Sequence, residues 1–97
     1  MNVSNPELIY DGQETQALYL TELEYDGSAV TLSQVLSNSL TGESAKNELG
    51  ESFYNSVVAT CNNLSMTPYF YKFPHGGILT IAFGEFQPGR YMVYRFY

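Results

Sequence analysis

The sequence predicts an α+β domain in which two helices pack on one face of an antiparallel sheet. Three observations predict it. Apolar residues fall at helical spacing from Leu32 to Leu40, and again from Phe53 to Leu64. The last third of the chain alternates aromatic and other residues between turns that contain Gly and Pro. With 97 residues, 44% of them hydrophobic and 15% aromatic, the chain suffices for a single domain spanning 1–97 with a thin core.

Residues 1–16 are polar and read as an irregular N-terminal segment around the short apolar run Leu8-Ile9-Tyr10. Ala17 to Tyr25 alternates imperfectly and reads as extended, ending in a Tyr-Asp-Gly turn at 25–27 that matches the one at 10–12. Leu32, Val35, Leu36 and Leu40 then draw one helical stripe over roughly 31–41. Ser28 or Thr31 is the candidate N-cap, and Gly42 the C-terminal glycine. Phe53, Tyr54, Val57, Val58, Cys61 and Leu64 draw the second, over roughly 51–63, because Gly50 disfavours a longer helix by about 1 kcal/mol. Met66–Phe73, Ile78–Phe83 and Tyr91–Tyr97 read as three strands of a meander, joined through Pro74-His75-Gly76-Gly77 and a type II turn at Gln87-Pro88-Gly89-Arg90. One or two N-terminal strands complete the expected sheet.

Charge is the most informative global property. Ten acidic residues against four basic give a net charge of −6. Residues 1–51 carry nine acids against Lys46 alone, a net of −8, whereas residues 52–97 set Lys72, Arg90 and Arg95 against Glu85, a net of +2. Direct binding to nucleic acid or to an anionic membrane needs more cations than this, so a basic partner is the expectation. One cysteine excludes an intramolecular disulfide, and the first residues carry neither a basic nor an apolar leader pattern; a cytoplasmic location is expected.

Catalytic patterns are scarce. One His and one Cys supply too few ligands for a transition-metal site, so neither a metal nor another cofactor is expected. Cys61 shares the stripe of Val57 and Leu64 and reads as a buried structural residue; His75 reads as a solvated turn residue. Glu22 and Glu24 share a strand face without a cleft, and no phosphate loop or nucleophile elbow is present. A non-enzymatic binding protein is the expectation.

The candidate partner-binding residues are Asp11, Glu14, Glu22, Glu24 and Asp26, with Glu43, Glu48 and Glu51 as a second cluster. Their carboxylates would stand where phosphates otherwise bind, and Glu85 reads as an isolated acid outside the set. In size and charge the chain is similar to the small acidic inhibitors of phages and mobile elements, anti-CRISPR proteins and DNA mimics among them. That resemblance implies a stoichiometric inhibitor of a basic, nucleic-acid-binding protein. The alternative expectation is a homo-oligomeric subunit, such as a homodimer, pairing through the C-terminal strand as an open edge.

Overall fold

The structure is a computed structural model that describes residues 6–18, 23–25 and 27–97. Four strands make the main sheet: β1 (Glu7–Gly12), β4 (Thr67–Lys72), β5 (Ile78–Gln87) and β6 (Arg90–Phe96). Their order is β1-β6-β5-β4, and every neighbouring pair is antiparallel. A separate hairpin joins β2 (Leu23–Tyr25) to β3 (Ser28–Val30), with Leu23 opposite Val30. The helices are α1 (Glu14–Ala17), α2 (Leu32–Ser37), α3 (Gly42–Leu49) and α4 (Glu51–Leu64). The α+β class, the antiparallel sheet and the C-terminal meander are therefore as the sequence reads.

The sheet is covered on both faces, which is where it differs in detail from the expected single covered face. Neighbouring residues on a strand point to opposite sides. Ile81 and Val93 accordingly lie in one apolar cluster, with Ala17 of α1, Leu23 and Val30 of the hairpin, and Leu32 and Val35 of α2. Ala82 and Met92 lie in the other, with Ala45 of α3 and Val57 and Cys61 of α4. Leu32, Val35 and Leu36 of the first stripe thus pack on one face and the second stripe on the other, while Leu40, beyond the end of α2, joins the second cluster.

Several boundaries move for local reasons. Thr31 caps α2 through a capping box: its Oγ1 accepts the Gln34 N–H at 3.2 Å, and its own N–H donates to Gln34 Oε1 at 2.8 Å. The helix stops at Ser37 and not near residue 41, because the next residues are drawn to the sheet. Leu40 N–H donates to the Phe70 carbonyl at 2.7 Å, and Phe70 N–H donates to Ser39 Oγ at 3.0 Å. Gly42 opens α3 instead of closing α2, with Thr41 as its N-cap. Gly50, at φ +89°, separates α3 from α4, a conformation that favours glycine.

Two expectations for the N-terminal half are corrected. Residues 7–12 are strand β1, so the segment 1–16 is not irregular throughout; pairing with β6 supplies the backbone partners that its short apolar run does not advertise. Ala17 belongs to α1, so the extended run predicted from Ala17 to Tyr25 keeps only Leu23–Tyr25 as strand among the described residues. A third correction concerns oligomerisation. The C-terminal strand β6 lies between β1 and β5 and has no open edge, so pairing between chains cannot use it without unfolding the sheet.

Cys61 is fully buried in α4, and burial pushes its thiol up to about 11. Cys61→Ala is expected to cost on the order of 1 kcal/mol through lost packing. A bulky thiol reagent should label the native protein far more slowly than the urea-unfolded chain; equal rates would place the thiol at the surface.

Candidate functional site

Carboxylates from distant parts of the chain meet at the end of the sheet where β1 finishes and the β5–β6 turn lies. The register aligns Gly12, Tyr91 and Glu85 across three strands. Glu14, two residues after Gly12, is the first residue of α1. The Tyr91 hydroxyl is set between Glu14 and Glu85. Its ionisation is pushed up to about 12, first by its hydrogen bond to Glu14, then by desolvation and by the two negative charges. Glu85 is also fixed to the turn, where its Oε2 accepts the Gly89 N–H at 3.1 Å. Gly89, at φ +79°, supplies the positive φ that this turn requires.

Asp11, on the neighbouring stretch of β1, is held by Arg90. Arg90 Nε donates to Oδ1 at 2.7 Å and Nη2 donates to Oδ2, a bidentate pair between exposed side chains. These hydrogen bonds hold the Asp11 carboxyl below its usual range. The same guanidinium lies 5.4 Å from the ring centroid of Phe86, which is 54% exposed. The sheet end thus carries the Asp11–Arg90 pair beside the exposed ring of Phe86 on the face of Met92, and Glu14 and Glu85 beside Tyr91 on the face of α1.

The remaining candidates lie elsewhere. Glu43 is in the first turn of α3 and Glu51 begins α4, both exposed. Glu48 accepts from Lys72 Nζ at 2.9 Å, a surface pair of the kind that contributes at most about 1 kcal/mol. Beside them Gly42, Glu43, Lys46, Asn47 and Tyr54 line an open cleft of about 500 Å³. Glu24 is exposed on β2, on the opposite side of the sheet from α3 and α4. Glu22 and Asp26 lie outside the described residues. The acids grouped by sequence thus divide among three regions: Asp11 and Glu14 at the sheet end, Glu43, Glu48 and Glu51 on one helical layer, and Glu24 on the hairpin.

Glu85, the acid that sequence reading set aside as isolated, belongs with Glu14 beside Tyr91. The turn at Pro88-Gly89 pairs Gln87 with Arg90, but it is a bulge between Glu85 and Gln87, with no signal in the sequence, that brings Glu85 opposite Tyr91. What the sequence did not carry is that β1 docks beside β6, 79 positions from Asp11 to Arg90.

Other chemistry has little to work with. Among the described residues, no group of three or more His, Cys, Asp or Glu could hold a metal ion. Cys61 and His75 stand on opposite sides of the sheet and form no dyad: Cys61 packs with Ala82, while His75 stacks 5.1 Å from Phe73, which packs with Ile81. His75 is exposed as expected but not merely solvated, since Tyr25 also stacks on it and its Nδ1 accepts the Gly77 N–H at 3.2 Å. No described helix is long and apolar enough to cross a membrane. Comparison with known protein families, curated proteins and solved structures finds no significant match.

The Tyr91 arrangement makes a pH prediction. The ordinary tyrosine value is 10, and the folded value is about 12. A raised value means that the protonated phenol contributes stability below pH 10, and that this contribution is lost as the pH rises through about 12. Tyrosinate absorbance should therefore show a step near pH 12 that Tyr91→Phe removes. A step for Tyr91 near pH 10 would mean that Glu14 and Glu85 do not surround the hydroxyl.

Proposed function

We propose that this protein is a non-enzymatic binding protein, acting in the cytoplasm as a stoichiometric inhibitor of a basic, nucleic-acid-binding protein. The observation that carries the proposal is the pair Glu14 and Glu85 beside Tyr91 at the sheet end, with no cation of their own among the described ion pairs, near the exposed ring of Phe86. Exposed carboxylates held by hydrogen bonds offer acceptor oxygens to Lys and Arg at positions that phosphates would otherwise take. Phe86 supplies the apolar anchor that charge alone lacks, since aromatic side chains dominate the energetics of protein interfaces. The acids of α3 and α4 form a second, more neutralised region, because Lys46 and Lys72 accompany them.

Capture of the partner from the source cell and its identification by mass establish what is bound. Association measured at two salt concentrations then tests the electrostatics. A fast association that slows steeply as salt screens the carboxylates is expected. An affinity insensitive to salt would move the interface to the exposed aromatic residues and leave the acids as a solubility feature.

A further inference from the structure

The two edges of the sheet are treated differently by the fold. The outer side of β4 is occupied at Phe70, whose N–H and carbonyl bond to Ser39 and Leu40. The outer side of β1 receives no backbone hydrogen bond from the described residues. Edge strands with free N–H and C=O groups are templates for another strand. On β1 the exposed side chains are Glu7, Leu8, which is 46% exposed, and Asp11, and no Lys or Arg occurs from Pro6 to Leu18.

We propose that the outer edge of β1 takes an extended, basic segment of a partner protein as an additional strand of the sheet. Main-chain bonds to the edge supply affinity in such additions, and side chains at alternate positions supply specificity. Here Leu8 offers an apolar contact, while Glu7, which accepts only the Tyr97 hydroxyl at 2.8 Å among the described hydrogen bonds, and the adjacent Glu14 select cationic side chains; Asp11 is already paired with Arg90. A second copy of this chain fits the edge poorly. Each copy carries a net charge of −6, and two β1 strands would bring Glu7 and Asp11 against their own kind. The register shift between Leu8 and Tyr10 also interrupts the strand, a feature that discourages edge-to-edge stacking and suits a short incoming segment. The basic character of the occupant rests on the proposed function; the strand pairing does not follow from it.

The test titrates the full chain, ¹⁵N-labelled, with a peptide of about eight alternating Lys and Val residues, a typical strand length. The control peptide has the same residues with alternate backbone amides N-methylated, which keeps the charge and removes main-chain donors. Shifts concentrated on Glu7–Gly12, slowed exchange of β1 amides, and roughly tenfold or weaker binding of the methylated peptide are expected. Equal binding of both peptides, with shifts centred on Glu14 and Glu85, overturns strand addition and leaves the acidic binding surface standing. Binding of neither peptide overturns it as well. So does dimerisation of the free protein with the same β1 shifts, which would assign the edge to a second copy.

Discussion

Phe70→Ala is expected to destabilise the domain by about 3–5 kcal/mol, the range for deleting a buried phenylalanine side chain. Phe70 is 3% exposed and lies in the cluster formed by Val57, Cys61, Ala82 and Met92. Its ring centroid stacks 5.5 Å from that of Tyr54 on α4, so removing it opens a cavity between the edge strand and the helix above. The backbone of Phe70, which alanine keeps, still bonds Ser39 and Leu40, so the loss is that of the side-chain packing. A domain of this size has a total stability of roughly 5–15 kcal/mol, so the variant should be close to unfolding at room temperature. Urea unfolding provides the measurement, with Phe86→Ala as the control. Phe86 is the more exposed of the two rings, and its removal should stay within about 0.5 kcal/mol. Equal shifts for the two variants would contradict the packing of α4 on the sheet.

The same residues show which parts of the fold were legible in the sequence. Helical stripes and turn glycines are local signals, and most named their element: Val57 and Cys61 for α4, Gly89 for the last hairpin, and Thr31, one of two candidate caps with Ser28, for the start of α2, whereas Gly42 was misassigned to its end. The meander was legible because short turns leave few ways to join successive strands. β1 was legible only as one of the one or two N-terminal strands expected, and not in its place, since a strand stabilised by a partner more than 80 residues away, Leu8 opposite Tyr94, leaves little pattern of its neighbour in its own sequence. The side of the sheet chosen by each helix was equally hidden. It follows from strand order, and strand order is a property of the whole chain.

The binding surface was half legible for a related reason. Composition identifies that the acids belong to the first half of the chain but not where folding puts them. Lys72 reaches Glu48, and Arg90 reaches Asp11, so two of the three cations of the second half are spent on acids of the first, while Arg95 lies over the ring of Tyr97. That leaves Glu14 together with Glu85, which no count by sequence halves would join, as the carboxylates at the sheet end without a cation of their own among the described ion pairs.

Reversing both of these charges is the functional change with the largest expected effect. The double variant Glu14→Lys, Glu85→Lys changes the charge beside Tyr91 at the sheet end by four units while leaving the Asp11–Arg90 pair in place. Association with the basic partner should slow by roughly tenfold or more at low salt, because steering depends on the summed field near the docking surface. The difference from the unaltered protein should shrink as salt rises and the Debye length falls to about 8 Å at physiological ionic strength. Dissociation should change less, since the ring of Phe86 stays exposed for its apolar contact. Two comparisons isolate the site. Glu24→Lys, on the hairpin and on another side of the sheet, adds positive charge without altering the sheet end, and should slow association far less. Glu14→Gln with Glu85→Gln removes charge without reversing it, and should fall between the two. If all three variants slow association in proportion to their charge alone, the partner responds to the net charge of the protein and not to the sheet end. Unchanged rates in every variant would remove the acidic surface from the interface altogether.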